Sequence, residues 1–165
     1  MFDGSQFEPE KQVKRIEALR FLIDAQMTYE EKKKNLGEKD TVLRDSVTAF
    51  SDDASNKVNF SDTKRDGAYV EYVRYARSKG YISGYSNKDF RSYSRITLAE
   101  ALSLLFRVFS APVWQGDWKV DWHKPLMDKA FQMEILPSGL TDPLHKLTRG
   151  ELTYILKRFL EEIER

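Results

Sequence analysis

Three short strings open apolar runs in this chain and carry the side chains best placed to do chemistry: Lys14-Arg15-Ile16-Glu17, Thr97-Leu98-Ala99-Glu100 and Thr148-Arg149-Gly150-Glu151. Thr followed three positions later by Glu, at the head of an apolar helix, is a capping box. The hydroxyl takes the N–H of the third helical residue, and the carboxylate returns to the N–H of the cap. Thr97/Glu100 and Thr148/Glu151 fit this pattern, and each Thr is worth about 0.5–2 kcal/mol. Lys14 cannot cap in this way, although Glu17 still stands at the third position. The arginines need another reason. Capping makes no use of them, and a cation in the first turn opposes the helix dipole. A ligand carboxylate at such a helix start would meet both N–H groups and a guanidinium fork. One charge-assisted hydrogen bond of this kind contributes about 1.5–3 kcal/mol. The plainer alternative for Arg15 and Arg149 is an exposed or locally paired side chain. Leu98, at the same position in the second string, cannot hold a carboxylate at all.

The elements that position these strings repeat. Phe7-Glu8-Pro9, Phe90-Arg91-Ser92 and Thr141-Asp142-Pro143 each stand at the same offset before them. Glu17, Glu100 and Glu151 fall in register, as do Leu22, Leu105 and Leu156. A second unit precedes two of the copies: Phe60-Ser61-Asp62, then Ala68, Tyr72, Val73 and Ala76, then Gly80-Tyr81-Ile82-Ser83-Gly84-Tyr85. Its partner runs from Trp114 through Trp122, Leu126, Met127 and Ala130 to Ile135-Leu136. Apolar positions in both units recur at i, i+3, i+4 and i+7, the stripe of an amphipathic helix. Each whole repeat reads as helix, loop, helix, with Gly80 and Gly84 suited to a helix end and a tight turn. The fold class is therefore all-α. One such unit cannot bury its stripe alone, but three can around an approximate threefold axis. The axis-facing position Ile16/Ala99/Gly150, small in two of the copies, is expected to permit close helix approach there.

The first copy lacks its front half, since the chain starts at Met1-Phe2-Asp3-Gly4, a string that is no signal peptide. One half repeat and two whole ones are expected of a piece of a longer protein. The boundaries are 1–25 for the half repeat, 26–57 for an insert, 58–110 for the second repeat and 111–165 for the third. Within the insert, Glu30-Glu31-Lys32-Lys33-Lys34 reads as a solvated helix or loop, and Thr41–Phe50 as a short packed helix. Residues 51–56 read as a loop whose acids match no EF-hand spacing.

The 165 residues carry 27 basic and 26 acidic side chains, with 41% hydrophobic and 32% charged. That balance excludes wholesale disorder and nucleic-acid binding through net charge alone. No apolar stretch reaches the roughly 18 residues that a membrane span needs. Cysteine is absent, which removes disulfides, thiolate metal sites and a Cys nucleophile. His123 and His145 are too few for a His-rich metal site, and no phosphate-cradling glycine string occurs. No cofactor or metal is expected. Tyr69, Tyr72, Tyr75, Tyr81, Tyr85 and Tyr93 could stack on sugars, but helical spacing makes Tyr72 a core residue by default. Trp114, Trp118 and Trp122, four apart, read as packing.

The order F-x-D, helix, G-x-I-x-G-Y, then a second helix opened by I-T-R-A-E, resembles S-layer homology repeats. Here it stands as Phe60-Ser61-Asp62, Gly80-Tyr81-Ile82-Ser83-Gly84-Tyr85, Phe90 and Ile96-Thr97-Leu98-Ala99-Glu100, with partial copies around Arg15 and Arg149, and the resemblance covers about 130 of the 165 residues. It implies a pseudo-threefold helical spindle around a central three-helix bundle. It also implies a non-catalytic, extracellular module that anchors bacterial surface proteins to the cell wall. Its partners would be an anionic, often pyruvylated, secondary cell-wall polysaccharide, bound in grooves between repeats, and other surface-layer proteins. Carried over position by position, the ligand-binding residues are Arg15, Arg149, Glu151, Glu17, Trp122, Asp62 and Gly84. Leu98 in place of Arg and Ala68 in place of Trp depart from the pattern in the second repeat. Those departures, with the 26–57 insert, favour the alternative of a degenerate module for protein assembly or display without glycan binding. A hydrolase needs convergent carboxylates, and capping accounts for Glu17, Glu100 and Glu151.

Overall fold

A computed structural model describes residues 7–35, 60, 62–63, 67–84, 89–111 and 121–165. The expected helix at 41–50, the loop at 51–56, Tyr85, Trp114 and Trp118 lie outside them. Among the described residues the chain is all-α. The helices are α1 (Arg15–Asn35), α2 (Val70–Ser78) entered through a 3-10 turn at Gly67–Tyr69, α3 (Leu98–Val108), α4 (Lys124–Gln132) and α5 (Arg149–Ile163). Among the described residues no helix is long and apolar enough to cross a membrane. The chain divides into two compact units, Arg15–Ser94 and Phe2–Lys14 with Arg95–Arg165.

In the first unit α1 packs against α2. Leu19, Leu22 and Ile23 of α1 are wholly buried, as are Phe60, Ala76 and Phe90 to within 1%. The charge run expected as a solvated helix or loop forms the end of α1, with Lys32, Lys33 and Lys34 exposed in its last turn. Cations there suit the negative end of the helix dipole. Tyr72 is only half-buried and its hydroxyl donates to Asp24 Oδ1 at 2.7 Å, so it stitches α2 to α1 from the margin of the core. α2 ends with the N–H of Tyr81 on the carbonyl of Ala76, and Gly80 takes the left-handed conformation (φ 73°) that this ending requires.

The core of the second unit lies among α3, α4 and α5. α3 is apolar nearly all round: Leu98, Ala99, Ala101, Leu102, Leu104, Leu105, Phe106 and Val108 are all buried. Such a helix must be covered on most faces. α5 buries a stripe of Leu152, Ile155, Leu156 and Phe159. The Phe159 ring meets Phe106 and Phe109 edge-on, at 6.0 and 5.2 Å between centroids. Aromatic pairs favour that geometry.

The strings that precede α1, α3 and α5 come together in this second unit. Gln12 bridges to Thr148, Lys14 to Arg95, and Thr97 to Lys146, each antiparallel. The N–H of Val13 donates to Leu147 O (2.9 Å), that of Leu147 to Ile96 O (3.1 Å), and that of Ile96 to Val13 O (3.0 Å). The cycle is closed, and Val13, Ile96 and Leu147 point into the core at 0% exposure. Three segments that could satisfy only part of their backbone alone satisfy one another.

Candidate anion-binding site

Each of the strings starts a helix, and each helix start is capped by the loop of another repeat. In the first unit the N–H groups of Arg15 and Ile16 donate to Ser94 O and Ser92 O, at 2.9 and 3.1 Å. In the second, Leu98 and Ala99 donate to His145 O and Pro143 O (2.9 and 3.0 Å), and Arg149 and Gly150 to Lys11 O and Pro9 O (2.9 and 2.8 Å). These are donors that a helix leaves unsatisfied at its start. The expected close approach at Gly150 is therefore to a loop: a Cβ there would lie 3.2 Å from both Pro9 Cβ and Pro9 O.

Both capping boxes form. Thr97 Oγ1 accepts from Glu100 N at 3.2 Å while Glu100 Oε2 accepts from Thr97 N at 3.0 Å. Thr148 and Glu151 repeat this at 3.2 and 2.8 Å. Glu151 does more: His145 Nε2 lies 3.0 Å from each of its carboxylate oxygens. Burial pushes the Glu151 carboxyl up. The Thr148 N–H, the His145 ring and the Thr148 hydroxyl outweigh it and hold the group below its ordinary 4.5.

The two arginines are not surface side chains. Arg15 is 9% exposed and Arg149 4%. Arg15 Nε donates to Phe90 O at 3.0 Å, and its guanidinium lies 5.2 Å from the centre of the Phe90 ring. The ring and carbonyl are themselves held. Asp62, whose carboxylate accepts from the N–H groups of Phe90 (2.8 Å) and Arg91 (2.6 Å), clamps a turn in which Arg91 is left-handed (φ 59°). Phe60 packs on Phe90 at 5.7 Å, carries the Arg77 guanidinium at 4.6 Å, and touches the Cα of Gly84 (φ 78°) so closely that no side chain fits. Asp62 and Gly84 thus sit behind the residues that hold Arg15. Glu17 is half-buried in the first turn of the same helix.

In the second unit, Arg149 Nη1 lies 3.3 Å from Glu8 Oε2. Glu8 is 53% exposed and is also held by Lys11 Nζ at 2.8 Å, which, with Arg149 nearby, keeps its carboxyl below the ordinary range. Trp122 is part-exposed, with its ring edge-on to His123 at 5.8 Å. Leu98 is fully buried. Glu8 and His145 were missed by the sequence reading. Glu8 stands beside Pro9 in the repeat, but its target is 141 residues away.

These features define a helical module in which loops cap the starts of α1, α3 and α5, and in which the first-turn arginines of α1 and α5 are buried. Residues 59–102 match the S-layer homology domain family. The chain is also 25% identical over 101 residues to the Middle cell wall protein of Brevibacillus brevis, a match that covers 61% of this chain and 9% of that protein. No solved structure matches.

Proposed function

We propose that the chain is a non-catalytic cell-wall anchoring module at the bacterial surface, binding an anionic polysaccharide through Arg149 and Arg15. The family match and the cell-wall relative support the anchoring role. One observation carries the ligand: an arginine occupies the first turn of both α1 and α5, almost removed from water, in a frame of loop-to-helix hydrogen bonds common to both. A carboxylate, such as the pyruvyl group of a modified wall sugar, matches a guanidinium fork in charge and geometry. At Arg149 it would take the place now held by Glu8. Contacts at several repeats and on many copies would add by avidity. In this reading the repeats stand as a pseudo-threefold spindle around α1, α3 and α5. The second repeat, with Leu98 buried where an arginine would be, contributes packing in place of an anion contact. Its loss of the arginine favours the second reading, an assembly or display module.

Co-sedimentation with purified sacculi, with and without their acid-extractable polymer, tests the proposal. Wild type is expected to pellet only with polymer-bearing walls. Arg149→Ala is expected to lose most of that binding, and Arg149→Lys, which keeps charge but not the fork, to fall between. Circular dichroism of each variant separates lost binding from lost folding. A folded wild type that stays in the supernatant would overturn anchoring and leave the assembly reading.

A further inference from the structure

The closed ring of segments presents a second surface that owes nothing to the buried arginines. Lys11–Lys14, Arg95–Thr97 and His145–Thr148 together carry four Lys or Arg residues and no Asp or Glu, in a chain whose net charge is only +1. Alternation sends Val13, Ile96 and Leu147 inward. Gln12, Arg95 and Lys146 are exposed, and Lys14 is half-exposed. Lys14 stands directly opposite Arg95 in an antiparallel bridge. The cations are also oriented. Arg95 Nη1 donates to Gln12 O at 2.9 Å, and Lys146 Nζ to Arg95 O at 3.3 Å. Both bonds go to neutral carbonyls, so they hold the side chains over the ring and leave the charge uncompensated. Of the four cations Lys11 is met by Glu8, while Glu100 takes the Thr97 N–H, Glu151 meets His145, and Asp142 takes the Leu144 N–H.

We infer that this ring is a second binding surface, for a linear polyanion, with Arg95 and Lys146 as its principal contacts and Lys14 beside them. Charges spaced along a polymer suit cations spread over three segments better than a single small anion does. Its principal contacts, Arg95 and Lys146, are not those of the Arg149 site, so the two can be altered separately.

The test uses the whole chain, titrated with inorganic polyphosphate and with polygalacturonate at low salt and at about 0.15 M, where the Debye length falls to about 8 Å. Wild type is expected to bind at least one polymer, more weakly at the higher salt. Polyphosphate alone would identify phosphate as the recognised group, and polygalacturonate alone carboxylate. The double substitution Arg95→Gln/Lys146→Gln keeps amide donors while removing charge, and should weaken binding by about three- to tenfold at low salt. Arg95→Glu/Lys146→Glu should abolish it. Lys157→Gln, which removes an exposed cation of α5 outside the ring, should leave it unchanged. Binding of neither polymer, or a double Gln variant that titrates like wild type, would overturn the inference whatever the sacculus experiment gives.

Discussion

Arg15 and Arg149 occupy the same position of the same repeat, yet their surroundings differ in kind. Arg15 rests on a main-chain carbonyl and an aromatic face from Phe90, while Arg149 is met by the carboxylate of Glu8. The backbone frame is shared, with two N–H groups at each helix start given to a loop at the same register. What varies is the loop residue. The positions that correspond to Glu8 are Arg91 and Asp142. In the first unit a second arginine thus stands where the third repeat's arginine finds a carboxylate. If the arginines bind an anion as proposed, the loop residue that faces each of them sets what the anion must displace.

The hardest test of that comparison is to remove the support of one arginine and not the other. Gly84→Ala forces a side chain into a left-handed residue and against the Phe60 ring, on which Phe90 and then Arg15 depend. The strain and overpacking together should cost about 2–4 kcal/mol. Urea unfolding would show it as a lower midpoint, with hydrogen exchange accelerated in 15–94 before the second unit. An unchanged midpoint would mean that the Phe60 platform yields without cost.

Next in size are the arginines themselves. Loss of one charge-assisted contact to a ligand carboxylate, about 1.5–3 kcal/mol, corresponds to roughly 10- to 100-fold in affinity. Arg15→Ala and Arg149→Ala should each reduce sacculus binding within that range. Arg15→Ala should have the larger effect, because the loop position that is Glu8 beside Arg149 is Arg91 in the loop beside Arg15. Equal losses would show that the loop residue does not distinguish the sites.

Much of this frame was legible in the sequence because it is local. Thr97/Glu100 and Thr148/Glu151 are three residues apart, and the apolar stripes of α3 and α5 follow helical spacing, so the capping boxes and the all-α class could be read directly. The arginines were legible as oddities, since a cation in a first turn needs a reason. Their burial was not, because it depends on Phe90 and Glu8, 75 and 141 residues away. Asp62 and Gly84 matched a family pattern that could not say which side of the site they occupy; their hydrogen bonds and contacts put them behind Arg15. Nor could spacing show that Gly150 makes room for Pro9. Nor could the charge run at 30–34 show where α1 ends, since such a run reads alike as exposed helix and as loop.

Glu151 adds a smaller contrast, visible in acid. Its folded carboxyl titrates below its ordinary 4.5. A lowered folded value means a stabilising contribution that is fully present above 4.5 and is lost as pH falls through the lowered value. Glu100 forms the same box with Thr97 at the start of α3. Glu151→Gln should flatten the acid limb of a stability–pH curve, with a loss at neutral pH of the order of a helix cap, about 0.5–2 kcal/mol, and His145→Gln should flatten it in part. An acid limb that His145→Gln leaves as in wild type would remove His145 from the account.

The smallest effect is the most telling. If a ligand carboxylate takes the Arg149 fork, Glu8 must leave it, and the ligand's gain is reduced by whatever that ion pair is worth. Glu8 is 53% exposed and its contact to Arg149 is long, at 3.3 Å. Exposed pairs of this sort contribute little to stability. Glu8→Gln should accordingly raise polymer-dependent sacculus binding by about two- to fivefold, and should do nothing in an Arg149→Ala background. Lys11, released from Glu8, would add its own attraction for the polymer, so Glu8→Gln/Lys11→Gln is the cleaner comparison. A substitution that removes an ion pair and strengthens binding has the opposite sign from a purely structural role. Weaker binding by a folded Glu8→Gln would show that Glu8 helps to build the site, and the distinction between the two arginines would then be one of support and not of competition.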